Sequence, residues 1–228
     1  MAELIEVFTQ PGTLFGSLPE RRAAWVSPLI ANALLLVASS AVTIHTLGMD
    51  LIVRQRFANS NMDPEQMQRM IERATSPAAT YISYCAVLLG APLSMMVVAG
   101  ALFAFGLMTK RAPKYGSMLA MVCLAFFPYF LVSVIMTIIV VLAAPDKTAL
   151  DLSNLLATNV GAFVSKSETS KGMYALFSSL DILSFIEIGF LSFGFSKLTK
   201  SGFFGGLGAV GSLWILYVLS RMAVSFFQ

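Results

Sequence analysis

The sequence predicts an all-α polytopic membrane protein with five transmembrane helices and a cytoplasmic amino terminus. Hydrophobic residues make up 57% of the 228 and charged residues only 12%, against about 25% charged in a typical soluble domain. Mean hydropathy is +0.79. The apolar residues also gather into long runs at residues 25–47, 81–108, 118–144, 174–196 and 203–227. Each run meets the requirement of about 20 mainly apolar residues for a helix to cross a hydrocarbon core about 30 Å thick. The formal net charge of +3 is spread along the chain. With no dense basic stripe, nucleic acid is not an expected partner.

Residues 1–24 form an amphipathic segment ahead of the five-span domain of residues 25–228. Leu4, Ile5, Phe8, Phe15 and Leu18 supply its apolar side, broken at Pro11-Gly12. No early h-region of a cleavable signal is present. The segment is expected to lie on the membrane surface as an interfacial anchor. Span one begins at Trp25, directly after Arg21 and Arg22, where an interfacial aromatic belongs. Its Asn32 and Ser39-Ser40 are small polar residues suited to helix packing.

Residues 48–78 are a polar loop holding one short helix. Asp63-Pro64-Glu65 is a helix start, and Met67, Met70, Ile71 and Ala74 fall at helical spacing. Glu65 and Arg69 make an i,i+4 pair. Spans two and three each carry one internal proline, Pro92 and Pro128. Proline removes a helix hydrogen bond, so each predicts a kink, and the two together mark a candidate hinge or cavity. Gly100 and Ala104, four apart, suit close packing. In the second long loop, residues 145–173, a short surface helix and a partial re-entrant segment fit equally.

Spans four and five are joined by a short link holding Lys197 and Lys200. Span five opens with the string Gly206-Leu207-Gly208-Ala209-Val210-Gly211. No strand precedes it, so a dinucleotide site is not expected. Gly202, Gly205, Gly206, Gly208, Ala209 and Ser212 pair four apart and are candidate helix-packing positions. Orientation follows from charge. The links after spans two and four hold Lys110, Arg111, Lys114, Lys197 and Lys200 with no acid, while the long loops mix both signs. Short basic links belong in the cytoplasm.

Chemistry-bearing constellations are few. His45 is the only histidine, Cys85 and Cys123 both lie in apolar runs, and no GxSxG or Walker-type loop occurs. No catalytic residue, cofactor or metal site is expected, and the protein is read as non-enzymatic. Asp181, Ser184 and Glu187 step by three along span four, and Glu187 is the only ionisable side chain between Ile182 and Phe195. An intramembrane carboxylate is a candidate functional group on a proton or cation path, or else a buried structural acid.

These residues resemble the Yip-domain (Ypt/Rab-interacting protein) family. Phe8-Thr9-Gln10-Pro11 followed by Phe15 is similar to the family's amino-terminal F-x-x-P-x-x-x-F segment. Five spans, Ser179-Leu180-Asp181-Ile182, and the Lys197/Lys200 link before the last span resemble its bacterial members. Those members commonly place an aromatic in the middle of the penultimate span, where this chain has Glu187. The resemblance implies a multi-pass bacterial inner-membrane protein that acts as a scaffold or adaptor. Its partners would be membrane lipids and other membrane proteins, or a second copy. A small transporter or channel subunit working through Glu187, and a lipid-handling protein, are the competing expectations.

Overall fold

The structure is a computed structural model that describes residues 2–57, 63–152, 154–166 and 168–225. Two short helices, α1 (Ala2–Thr9) and α2 (Pro11–Ser17), precede α3 (Val26–Arg56) and α4 (Pro64–Ala74). Then follow α5 (Pro77–Met108), α6 (Tyr115–Ala143), α7 (Lys171–Ser179), α8 (Ile182–Thr199) and α9 (Phe203–Ser225). Helices α3, α5, α6, α8 and α9 are long and apolar enough to cross a membrane. The chain is a multi-pass, all-α membrane protein.

Local chemistry sets the helix ends. Asp63 caps α4 by accepting from the Glu65 N–H, with Pro64 in the first turn, as its sequence requires. Ser76 caps α5 through the Ala79 N–H, again ahead of a proline. Lys147 closes α6 at the other end: its ammonium donates to the carbonyls of Val141, Leu142 and Ala144. Lys200 (φ 54°) and Gly202 (φ 75°) take left-handed conformations that turn the chain from α8 into α9.

Helix α6 is the axis, packing against α1, α3, α5 and α8. Its first half is buried on every side, with each residue from Ser117 to Ala125 enclosed. Ala91, Met95, Ala99 and Leu102 of α5 complete this core. Fully buried Asn32 reaches across from α3 and donates to the Cys123 carbonyl at 2.8 Å. Pro128 lies just beyond, and its ring leaves the Leu124 carbonyl without an N–H. The Asn32 amide thus donates to the α6 backbone one residue before that unpaired carbonyl, as small polar residues between membrane helices do.

Several expected boundaries move. Span one does not stop at Leu47: Gly48 (φ 78°, ψ 149°) kinks the helix, which then continues to Arg56. There Gln55 donates to the Leu150 carbonyl and accepts from the Leu152 N–H, tying the second long loop to the end of α3. Span two starts at Pro77 and span three at Tyr115, ahead of the expected 81 and 118. Residues 226–227 of span five lie outside the described residues. Gly100 has nothing within 4 Å of its missing side chain, and Ala104 is exposed, so that pair does not pack within the chain. The face of α5 that packs is the one carrying Met95 and Ala99.

The amino-terminal segment is the largest correction. Instead of resting on the surface, it is folded into the core. Val7, Leu14, Phe15 and Leu18 are completely buried in the same cluster as Met118–Ala125. Phe15 meets Phe193 edge-on at 6.2 Å, Phe8 meets Phe127 at 6.1 Å, and Glu6 pairs with Arg21 at 2.8 Å. Amphipathicity marks a helix with one face to hide, but it does not say whether lipid or protein hides it.

Candidate functional site

The α8–α9 hairpin makes its closest approach at one glycine. At Gly206 an added Cβ would collide with the carbonyl oxygen of Ser192 and lie 3.1 Å from the Ser196 Cβ. That contact fixes an antiparallel register. Phe185 then packs on Trp214 at 5.8 Å, and Arg221 donates to the Ser179 hydroxyl at 3.0 Å. The expected packing set divides accordingly. Gly206 and Ala209 are buried against α8. Gly202 makes the turn, and Gly205 sits over the Ser201 side chain. Gly208 faces outward with nothing within 4 Å of a Cβ, as does Gly211, and Ser212 is exposed beside them.

Span four is not one helix. The run expected at 174–196 is broken at Leu180 (ψ 77°) and Asp181 (φ −118°, ψ 130°), leaving α7 and α8 as separate helices. A break exposes backbone groups that hydrocarbon cannot satisfy. Here the second long loop satisfies them. Val160 N–H donates to the Leu180 carbonyl at 3.1 Å, and Ile182 N–H donates to the Thr158 carbonyl at 3.3 Å. Asn159 and Asp181 form an antiparallel bridge. Beyond it lies a 3₁₀ turn, Val160–Phe163, whose Gly161 lets it approach the Ser178 backbone. Between positions 145 and 170 the described residues form this 3₁₀ turn and no α-helix, and the loop is the partner of the break.

The expected polar track therefore has a different geometry. Asp181 is not a residue on a helical face: its carboxylate caps α8 by accepting from the Leu183 N–H at 3.1 Å. Ser184 and Glu187 follow inside α8, both half-buried. Among the described residues Glu187 has no hydrogen bond or ion pair. The charges of Glu187 and Asp181 both reach Tyr129 of α6, which lies beside Ser133. The Ser133 hydroxyl is buried without reaching hydrogen-bonding geometry. Pro128 thus falls next to this cluster, whereas Pro92 belongs to α5, which packs on α3 and α6.

Arg221 is the residue that sequence reasoning missed. It is the one basic side chain within α9, and it binds Ser179 rather than Asp181 or Glu187. Counting back along the hairpin from Gly206 and Ser192 would have put it opposite the end of α7. No protein-family model, curated protein or solved structure matches the chain.

Proposed function

We propose that the chain is a non-enzymatic membrane scaffold or adaptor of the Yip-domain type, with its basic face in the cytoplasm of a bacterial inner membrane. The observation that carries this reading is the outward face of α9. Gly206 and Ala209 are spent on packing against α8, yet Gly208, Gly211 and Ser212 repeat the same small-residue spacing on a face that no described residue covers. In lipid, helix association rests on close van der Waals approach, and small residues permit it. The docking of Phe8 and Phe15 gives further support, since the amino-terminal motif then has a structural task.

A photocrosslinker at Ser212, in native membranes, tests the proposal. Capture of one discrete membrane protein or of a second copy is expected, falling roughly tenfold with Gly208→Ile or Gly211→Ile as close approach is blocked. Crosslinking to lipid alone would refute it.

A proton- or cation-linked transporter is the second reading, favoured by an unpaired Glu187 two turns from a broken helix. Intramembrane carboxylates and discontinuous helices both attend ion pathways. On that reading proteoliposomes carry a proton or cation flux that Glu187→Gln lowers by roughly tenfold or more. Equal flux in the wild type and the variant would exclude it.

A further inference from the structure

The end of α8 and the turn into α9 border an open recess of about 350 Å³, lined by Phe193, Ser196, Lys197, Lys200, Gly202 and Phe203. Its volume is within the roughly 300–1,000 Å³ of small-ligand sites. Two cations enter it with no carboxylate partner among the described residues. Lys197 is held over the Phe193 ring at 5.4 Å. Lys200 follows three residues later, its backbone in the left-handed conformation that ends α8. On this side of the molecule Glu3 and Glu6 are engaged by Arg21 instead.

The rest of the wall is built for an amphiphile. Gly12 of α2 faces this wall, where a Cβ in its place would lie 3.7 Å from the Phe193 ring and 4.0 Å from the Lys197 stem. Gly202 leaves its own side open, with nothing within 4 Å. Directly beyond, Phe203 is 47% and Phe204 85% exposed, forming an apolar shelf beside the lysines. Paired cations with exposed aromatics beside them match a phosphate joined to acyl chains. A free phosphate would leave the shelf unused.

We infer that this recess binds the phosphate headgroup of an anionic phospholipid, with Lys197 and Lys200 on the phosphate and Phe203 and Phe204 along its chains. Basic pockets at the ends of membrane helices recognise such headgroups. The test uses the full chain in phosphatidylcholine nanodiscs titrated with phosphatidylglycerol, with retained lipid read by native mass spectrometry. Wild type is expected to retain phosphatidylglycerol over phosphatidylcholine, and Lys197→Gln with Lys200→Gln to weaken that retention roughly tenfold or more. Lys110→Gln with Lys114→Gln, equally basic and on the same face but outside the recess, should change it less than about twofold. An equal loss in both double variants would reduce the effect to general surface attraction and overturn the site. Complete displacement of the lipid by millimolar inorganic phosphate would overturn the lipid assignment. Displacement that fails supports it.

Discussion

Gly206→Ala is expected to pry α8 from α9, although it adds only a methyl group. The new Cβ would collide with the Ser192 carbonyl oxygen, and Ser196 stands 3.1 Å away on the same side. Backbone cannot swing aside as a flexible side chain can, so the helices must separate or slide. Overpacking of this kind costs about 1–3 kcal/mol, and the upper end applies where backbone opposes backbone. Losing the register also pulls Phe185 from Trp214 and Arg221 from Ser179.

The control lies on the same helix. Gly208→Ala and Gly211→Ala meet nothing within 4 Å, and replacing a helical glycine by alanine gains up to about 1 kcal/mol of propensity. One substitution type should thus act in opposite directions two residues apart. Thermal unfolding in detergent, followed by size-exclusion recovery, measures both. A Gly206→Ala protein as stable as its Gly208→Ala counterpart would show that the hairpin contact is wrong.

How much of this was legible beforehand depends on what each residue had to reveal. Spans two, three and five are plain in the hydropathy, because a helix in lipid needs an apolar run and little else. The α4 start at Asp63-Pro64 is equally plain, since capping is local. The break at Leu180–Asp181 was hidden for the converse reason. No proline or glycine marks it, and its backbone groups are satisfied by Thr158 and Val160, about twenty residues earlier. The glycine string showed that α9 makes close contacts, but not which glycine faces α8. That answer needs the hairpin register, which is a property of two helices together. Glu187 stood out at once by its charge, whereas its neighbour Tyr129 comes from another span and could not be paired with it from spacing.

Phe15→Ala should release the amino-terminal helices from the bundle. The Phe15 side chain is completely buried, its ring edge-on to Phe193 and 3.3 Å from where a Cβ on Gly194 would sit. Gly194 is therefore the recess that accepts it. Truncating a buried phenylalanine costs about 3–5 kcal/mol. Because α1 and α2 are short and lie at the edge of the core, that loss falls first on local docking rather than on the whole bundle. What remains to hold the segment is the contacts of Val7, Leu14 and Leu18 and the Phe8–Phe127 pair, because the partly exposed Glu6–Arg21 pair, worth at most about 1 kcal/mol, lies within the segment itself. Phe8→Ala should be milder, since Phe8 is half exposed and meets Phe127 in an edge-on contact. Such an aromatic contact contributes about 0.5–1.5 kcal/mol beyond its buried area. Trypsin cleavage at Arg21 and Arg22 reports the release directly. Faster cleavage for Phe15→Ala than for Phe8→Ala, with the spans still folded, is the expected order. A surface-lying segment would instead be cut at similar rates in both variants and in the wild type, and that outcome would return residues 1–24 to the membrane surface.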